Sequence, residues 1–416
     1  MDSLIKFSKL LVFIMVLYMN LLIYYFPISN ILLMLGLVLA MMVLFYLFCR
    51  NHPLSAILPG EMITNLVFLL FALATGWMVS INKAVFLSQF STQFQTFVFM
   101  VCILAIAYDD QSTKFIEFLL ISIPLLMDLV VISGISSLSA AFYSRQILYP
   151  NAKDIINPNS LGLAQAYGVF AVMTKLFSSQ EKKPWKIIFL LFLLGLFFTV
   201  ILISGSRKSF LAAIIVILGF LVIYRKRNVF QNIISIIIGL GVVYAIFWIG
   251  SIFLEEFYLF QRFSGFFTDT SNITRVNMYR EAFDLFEKSP LVGVGIGNYT
   301  YASSFGTYSH STYAEALACT GLIGSCIYFF GYGIILYKLF KLYKIKSSKE
   351  FAKKGFIVMG VLLFLGIGVI HFYEIYSSLV FTYLMSGIII QTRMNRLEKK
   401  AYIISQLTSK EQYAKN

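Results

Sequence analysis

The sequence predicts an all-α, polytopic membrane protein. Hydrophobic residues make up 59% of the 416 residues and charged residues only 12%, and the mean hydropathy is +0.83. A water-soluble domain needs far more charge on its surface. The apolar runs are continuous over about twenty residues, the length of a membrane-spanning helix, whereas the strands of a membrane barrel alternate over roughly ten.

About twelve apolar segments are predicted to span the membrane, and residues 1–416 are predicted to form a single integral membrane domain. In chain order the segments are 5–26, 30–49, 62–81, 84–107, 115–139, 159–178, 186–204, 209–224, 230–252, 313–337, 356–373 and 375–392. The first segment is longer than the core of a cleaved signal peptide, which is about 7–15 residues.

The distribution of lysine and arginine in the short loops predicts the orientation. A cytoplasmic N-terminus places the C-terminus and most basic loops inside. It places the large insert 253–312, between the ninth and tenth spans, outside. The net charge of +14 then follows from this inward bias and from attraction to anionic lipid, and does not indicate nucleic-acid binding. The basic segments assigned to the inside are 182–186, 225–227, 338–354 and 393–400.

A polar turn, Ser204-Gly-Ser-Arg-Lys-Ser209, separates two strongly apolar spans. An arginine at the outer boundary of a membrane is costly and needs a reason. Gly205 permits a tight turn, and the serines and free backbone N–H groups at the start of the next span suit an anion. Arg207, with Ser206 beside it, is therefore a candidate anion-binding residue. An ordinary interfacial anchor is the alternative.

The insert is predicted to contain an amphipathic helix that runs from Thr274 to Lys288 and stops before Pro290. We expect its apolar stripe to lie on the membrane or over the mouth of the bundle, and this stripe consists of Val276, Tyr279, Phe283 and Phe286. The residues expected to face water are Arg280, Glu281, Asp284 and Glu287. Arg275, at the predicted helix start, can turn toward the bundle; a solvated charge is the alternative.

His310 and His371 are two of the three histidines in the chain, and both are expected at the outer face. His310 precedes Ser311 and the tenth span, whereas His371 ends the eleventh span with Glu374 expected on the same helix face. A lone histidine is more often structural than catalytic, but two of them near two arginines favour a functional role for His310. No pair of histidines has the spacing of metal ligands, and the four cysteines form no C-x-x-C motif, so no metal site is predicted.

Taken in order, these motifs resemble the O-antigen ligase and Wzy-type polymerase superfamily over most of the chain. Each motif alone is modest, but their order on a twelve-span scaffold with a large outer loop is fairly specific. The motifs are Asn157-Pro-Asn159-Ser-Leu-Gly162, Ser204-Gly-Ser-Arg207, Thr274-Arg275 with Pro290 and the glycine run 293–297, and His310-Ser311 followed after nine residues by Gly321-x-x-Gly324.

The resemblance implies a metal-independent membrane glycosyltransferase with a GT-C-like fold. Such enzymes transfer a glycan from undecaprenyl pyrophosphate, which is the lipid carrier, to an acceptor hydroxyl, and they need no cofactor. The reaction takes place on the outer face of the bacterial plasma membrane. The resemblance assigns pyrophosphate binding to Arg207 and Arg275, and to His310 either proton acceptance from the acceptor hydroxyl or its orientation. Candidate supporting residues are Ser206, Arg280, Tyr279, Ser311, Glu315, His371, Glu374 and Asn159.

Polymerase and ligase share these features and differ in the acceptor. We expect a polymerase of capsular polysaccharide or O-antigen repeats, which transfers the glycan to another lipid-linked repeat; the alternative is a ligase that transfers it to lipid A-core. A transporter or flippase for the same lipid-linked glycan is the rival class, but it would be expected to carry charged residues along several spans, and here Asp128 is the conspicuous one. Expected partners are the undecaprenyl-pyrophosphate-linked oligosaccharide and the lipid bilayer, with a chain-length regulator and a flippase as further candidates.

Overall fold

A computed structural model describes residues 2–21, 36, 59–133, 157–178, 183–224, 259 and 270–415. Within these ranges the chain is helical and has no strand, which confirms the predicted all-α class. The helices are α1 Asp2–Asn20, α2 Gly60–Val79, α3 Lys83–Asp109, α4 Lys114–Ser133, α5 Pro158–Leu176, α6 Pro184–Ser204, α7 Arg207–Tyr224, α8 Thr270–Lys288, α9 Tyr299–Ala302, α10 Thr312–Tyr343, α11 Lys349–Leu365 and α12 Ile375–Lys415.

Seven of the helices in these ranges are long and apolar enough to cross a membrane, so the chain is a multi-pass membrane protein. They are α2, α3, α4, α6, α7, α10 and the Ile375–Leu407 part of α12. The predicted span 30–49, apart from residue 36, and the predicted span 230–252 lie outside the described residues, as does most of 253–269 in the insert. The count of twelve and the extracytoplasmic placement of the insert therefore stay predictions.

Helix α5 lies at the centre of the bundle and packs against α4, α6 and α7. All of its residues from Leu161 to Thr174 are buried, so it has no solvent-facing or lipid-facing stripe along this length. Such a helix must be surrounded by protein on every side. Its burial fixes where its N-terminus emerges, beside the polar turn that joins α6 to α7.

The second half of the predicted eleventh span, 356–373, is wrong. Helix α11 ends at Leu365, and only a short 3-10 helix, His371–Tyr373, precedes α12. The residues between them, 366–370, include two glycines, which weaken a helix. Carbonyls in this 366–370 loop instead accept hydrogen bonds from other elements, so the chain leaves the helix where its backbone has partners elsewhere.

Helix α10 is interrupted at Gly321, where φ is +62° and ψ is −166°. The interruption frees backbone groups on both sides, and these groups pair with the segment 290–297, which contains the predicted glycine run. A side chain at Gly293 would place its Cβ 2.4 Å from the carbonyl carbon of Cys319, so only glycine permits this approach. The bonds are Val294 N to Ala318 O and Gly295 N to Cys319 O, each 2.9 Å, Leu322 N to Pro290 O, 2.8 Å, and Ile323 N to Leu291 O, 3.2 Å.

Candidate functional site

A polar cavity of about 140 Å³ lies where the N-termini of α5 and α7 meet the loop before α10 and the 366–370 loop. Three of the residues predicted for the site line it together, although they are far apart in the sequence. Lys208, which was not among them, lines it as well. We call it the His310 cavity, and its polar lining includes Asn157, Asn159, Lys208, Tyr308, His310 and Glu374.

A buried acidic residue, Glu315, holds the backbone around His310 in place. The Ser309 N–H donates to Glu315 Oε2 at 2.8 Å, and both residues are fully buried. His310 itself has a φ of +61°, which is uncommon for a residue with a side chain. Its ring meets the Tyr308 ring edge-on, with 4.4 Å between centroids. Glu315 therefore supports the site by anchoring this loop and does not line the cavity.

The electrostatic surroundings of His310 favour its neutral form. Burial, together with the positive charges of Arg275 and Lys208, lowers the pKa of His310 to about 4. Each of these causes penalises the imidazolium. At neutral pH the ring therefore carries a free lone pair, which a proton acceptor requires.

Arg207 and Lys208 are the first two residues of α7, and their side chains bond to different parts of the protein. Arg207 is 7% exposed and its Nη2 donates to Asn272 Oδ1 on α8 at 2.7 Å. Lys208 lines the His310 cavity, and its Nζ donates to Gly368 O at 2.6 Å. The cation in the cavity wall is therefore Lys208, while Arg207 links the polar turn to α8.

The serines of the polar turn pack against α5. Ser206 Oγ and Ser209 Oγ are hydrogen bonded at 2.8 Å, and both side chains are fully buried. A Cβ at Gly162 would lie 2.8 Å from Ser204 Oγ and 3.0 Å from Ser206 Cβ. Ser206 thus contributes to the fit between α5 and the turn, and Gly162 explains why the two sequence motifs occur together.

The face of α8 that packs into the protein differs from the predicted apolar stripe, whose placement on the membrane stays a prediction. Helix α8 buries Met278, Ala282 and Leu285 in a small core with Tyr299 and Cys319. Among the residues of the predicted stripe, Val276 and Phe283 are instead 49% and 52% exposed. Both stripes have helical spacing, so the sequence pattern alone does not decide which face meets the bundle.

Arg275 and Tyr279 lie on the side of α8 toward the site. Arg275 is partly buried and close enough to His310 to lower its pKa, and Tyr279 OH donates to Ile367 O at 2.8 Å. Helix α8 already includes Thr270, so Arg275 is not at its first residue. Arg280 is exposed, and Glu281, which was expected to face water, accepts hydrogen bonds from Ser304.

His371 does not share a face with Glu374, contrary to the prediction. Its ring is bonded on both sides, by Nδ1 to Ser377 Oγ at 2.8 Å and by Nε2 to Leu362 O at 2.6 Å. It lines a separate cavity of about 60 Å³, whereas Glu374 lines the His310 cavity and accepts a hydrogen bond from Ser160 Oγ at 3.0 Å. The short helix ends at Tyr373, and Glu374 has an extended backbone with φ −112° and ψ +120°, so its side chain does not continue the helical face of His371.

Ser311 also has a structural position. It caps the N-terminus of α10, where its side chain accepts from the Ala314 N–H at 3.4 Å, and its Oγ donates to Gly366 O at 3.3 Å.

Within the described ranges there is no group of three or more His, Cys, Asp or Glu side chains arranged as metal ligands would be. The prediction that no metal cofactor takes part remains a prediction.

Residues 188–329 match the protein-family model Wzy_C, which describes O-antigen ligases. The matched segment includes Arg207, Arg275, His310 and the interrupted part of α10. The match covers about a third of the chain and supports the resemblance of the sequence motifs to the O-antigen ligase and Wzy superfamily. No curated protein matches the chain.

Proposed function

We propose that this protein polymerises lipid-linked oligosaccharide repeat units of a capsular polysaccharide or O-antigen on the outer face of the plasma membrane. The observation that carries the proposal is a neutral His310 that lines a polar cavity together with Lys208, with Arg275 close by. A neutral imidazole suits the acceptor hydroxyl, and the cations suit a pyrophosphate. Glycosyl transfer from a lipid pyrophosphate requires a group that accepts the proton of the acceptor hydroxyl and cations that neutralise the leaving group. Side chains suited to both tasks lie close together here.

In the proposed reaction the acceptor hydroxyl oxygen attacks C1 of the donor sugar, and its proton passes to His310. The bond from C1 to the pyrophosphate oxygen breaks, and undecaprenyl pyrophosphate leaves with the electron pair. Attack opposite the leaving group inverts the anomeric centre. Charge-assisted hydrogen bonds to the leaving group contribute roughly 1.5–3 kcal/mol each, and those that strengthen as the bond breaks lower the barrier.

The donor itself would adjust His310 for its role. Burial, together with the charges of Arg275 and Lys208, holds the pKa of His310 at about 4, which makes a weak base. A bound pyrophosphate cancels part of that positive charge, so the pKa of His310 rises when the donor is present. We therefore expect His310 to become an effective base only in the donor complex.

Ligation to lipid A-core is the second candidate function, because the matched family model is described as O-antigen ligase. The acceptor distinguishes the two. A ligase would use the same donor chemistry around His310 and would accept a sugar hydroxyl on lipid A-core, which a polymerase would not use.

The test is purified full-length protein supplied only with lipid-pyrophosphate-linked repeats in the presence of EDTA. We expect a ladder of longer glycans and release of undecaprenyl pyrophosphate. A parallel reaction that also contains lipid A-core should leave that lipid unmodified; its modification, with no ladder, would establish the ligase. A strict requirement for divalent metal would contradict neutralisation of the leaving group by side chains.

A further inference from the structure

A second and larger cavity, of about 540 Å³, lies at the opposite end of the bundle from the His310 cavity. Helix α5 connects the two ends: Asn159, near its start, lines the His310 cavity, and Lys175, in its last turn, lines the second one. At 1.5 Å per residue, a helix of this length separates them by roughly 25 Å. The second cavity is therefore not an extension of the first.

Positive charge is in excess around this second cavity, which we call the basal cavity. Four lysines and two glutamates line it. Each glutamate is close to one lysine: Glu117 Oε2 lies 3.0 Å from Lys175 Nζ, and Glu350 Oε1 lies 3.8 Å from Lys354 Nζ. The other two lysines, Lys114 and Lys186, leave a net charge of two positive units by this count.

Three helices also begin at the basal cavity, namely α4 at Lys114, α6 at Pro184 and α11 at Lys349. The N-terminus of a helix carries partial positive charge and N–H groups that no residue of the same helix accepts. Hydroxyl groups also line the wall between these helices, from Ser112, Thr113, Ser178 and Ser347. Those of Thr113 and Ser347 donate to Glu117 Oε1 and Asn395 Oδ1, so the charge and the helix N-termini are what favour an anion here. Side-chain charge and backbone dipoles thus favour the same sign of ligand.

We propose that the basal cavity binds a phosphate-bearing anion, either the headgroup of an anionic phospholipid in the adjacent leaflet or a soluble phosphorylated molecule. The inward bias of lysine explains why this end of the bundle is basic. It does not explain why four lysines from four different helices surround one cavity. Basic pockets between membrane helices on the cytoplasmic side are suited to phospholipid headgroups, and an ammonium group binds phosphate as a point charge.

The test uses the full-length protein in detergent, with short-chain phosphatidylglycerol and inorganic phosphate as separate probes, and native mass spectrometry or calorimetry as the readout. The variant Lys114→Gln/Lys186→Gln removes the excess charge and leaves both glutamate–lysine pairs in place. The matched control is Lys344→Gln/Lys346→Gln, because these two lysines are exposed at the same end of the bundle and do not line the cavity. Unchanged thermal unfolding of both variants shows that they are folded.

We expect the first variant to bind one of the two probes at least about tenfold more weakly, which corresponds to about 1.4 kcal/mol, and the control to bind it as the unmodified protein does. Loss with phosphatidylglycerol alone identifies a lipid headgroup, and loss with inorganic phosphate identifies a soluble ligand. Equal binding by both variants, or no binding of either probe to the unmodified protein, would overturn the proposal. The readout is independent of glycan transfer, so its outcome does not depend on the proposed polymerase activity.

Discussion

At the scale of single residues, the His310 cavity places a neutral imidazole near a cation, and the cation affects the protonation of the imidazole. Burial, Arg275 and Lys208 lower the pKa of His310, so the charges that we propose bind the donor also help to keep the imidazole neutral before the donor arrives. Removal of one of these cations should therefore change proton transfer as well as donor binding. This coupling can be measured because pH profiles separate the free enzyme from its complex.

We predict that kcat/KM falls on the acid side with a midpoint near pH 4, because this parameter reports the free enzyme, in which the pKa of His310 is about 4. The midpoint for kcat should lie at higher pH, because bound pyrophosphate favours the imidazolium. Lys208→Gln removes a positive charge and should move the kcat/KM midpoint upward, toward the ordinary value of about 6.5. Arg280→Gln, at an exposed position of α8, is the control and should leave it in place.

His310→Ala should lower turnover by roughly 10²–10⁴-fold and remove this acid limb, while donor affinity stays near that of the unmodified protein. If the variant loses donor binding as much as turnover, His310 is a phosphate ligand and the base role is wrong.

The lowered pKa of His310 also affects the stability of the folded protein. The folded protein binds the His310 proton less readily than the unfolded chain, so this contribution to stability is complete above about pH 6.5 and declines as the pH falls toward 4.

At the scale of helices, the contact between α5 and the polar turn depends on the absence of a side chain at Gly162. We predict that Gly162→Ala destabilises the protein by about 1–3 kcal/mol, because its Cβ would press on Ser204 and Ser206. Gly195→Ala is the matched control: Gly195 lies within α6, and nothing is within 4 Å of a Cβ built there. It should be neutral or stabilising by about 0.5–1 kcal/mol. Thermal unfolding of the purified variants measures both, and equal melting temperatures would contradict the close fit.

Helix existence could be predicted from the sequence better than helix faces and ends. The predicted span 186–204 agrees with α6, Pro184–Ser204, because a bilayer requires about twenty apolar residues in a row. The second half of the predicted span 356–373 fails because an apolar run that contains Gly366 and Gly368 is compatible with a helix or a loop. The hydrogen bond from Lys208 to Gly368 O favours the loop, and such a distant partner leaves no trace in local periodicity.

For the candidate site, too, the sequence could select residues better than it could predict which of their side chains face the cavity. His310, Asn159 and Glu374 could be selected from the sequence and line one cavity. Lys208 was missed although it follows Arg207 directly, because which of two adjacent side chains faces the cavity depends on the rotation of α7 about its axis. His371 was selected for the same chemistry and instead bonds to Ser377 and Leu362.

At the scale of the whole molecule, the two cavities lie at opposite ends of α5, so the orientation in the membrane decides which cavity meets which compartment. We predict that Glu287, on α8, is outside and that Lys346, after α10, is inside; both side chains are exposed. In a background without the native cysteines, Glu287→Cys should react with a membrane-impermeant maleimide on intact cells. Lys346→Cys should react only after permeabilisation. The reverse pattern would contradict the predicted orientation.

The interruption of α10 at Gly321 has a consequence for how this protein tolerates sequence change. The N-terminal part of α10, which follows His310, is hydrogen bonded to the 290–297 segment through main-chain atoms. Main-chain bonds do not depend on which side chains the residues carry. Leu291, which is 59% exposed, and Val292 should therefore accept many replacements in a saturation library, while Gly293 and Gly321 accept almost none, because a Cβ at either would lie 2.4 Å from backbone atoms. If selection for glycan polymer in such a library retains glycine at positions 293 and 321 and accepts changes at the neighbouring positions, the position of His310 depends on these glycines more than on the residues around them.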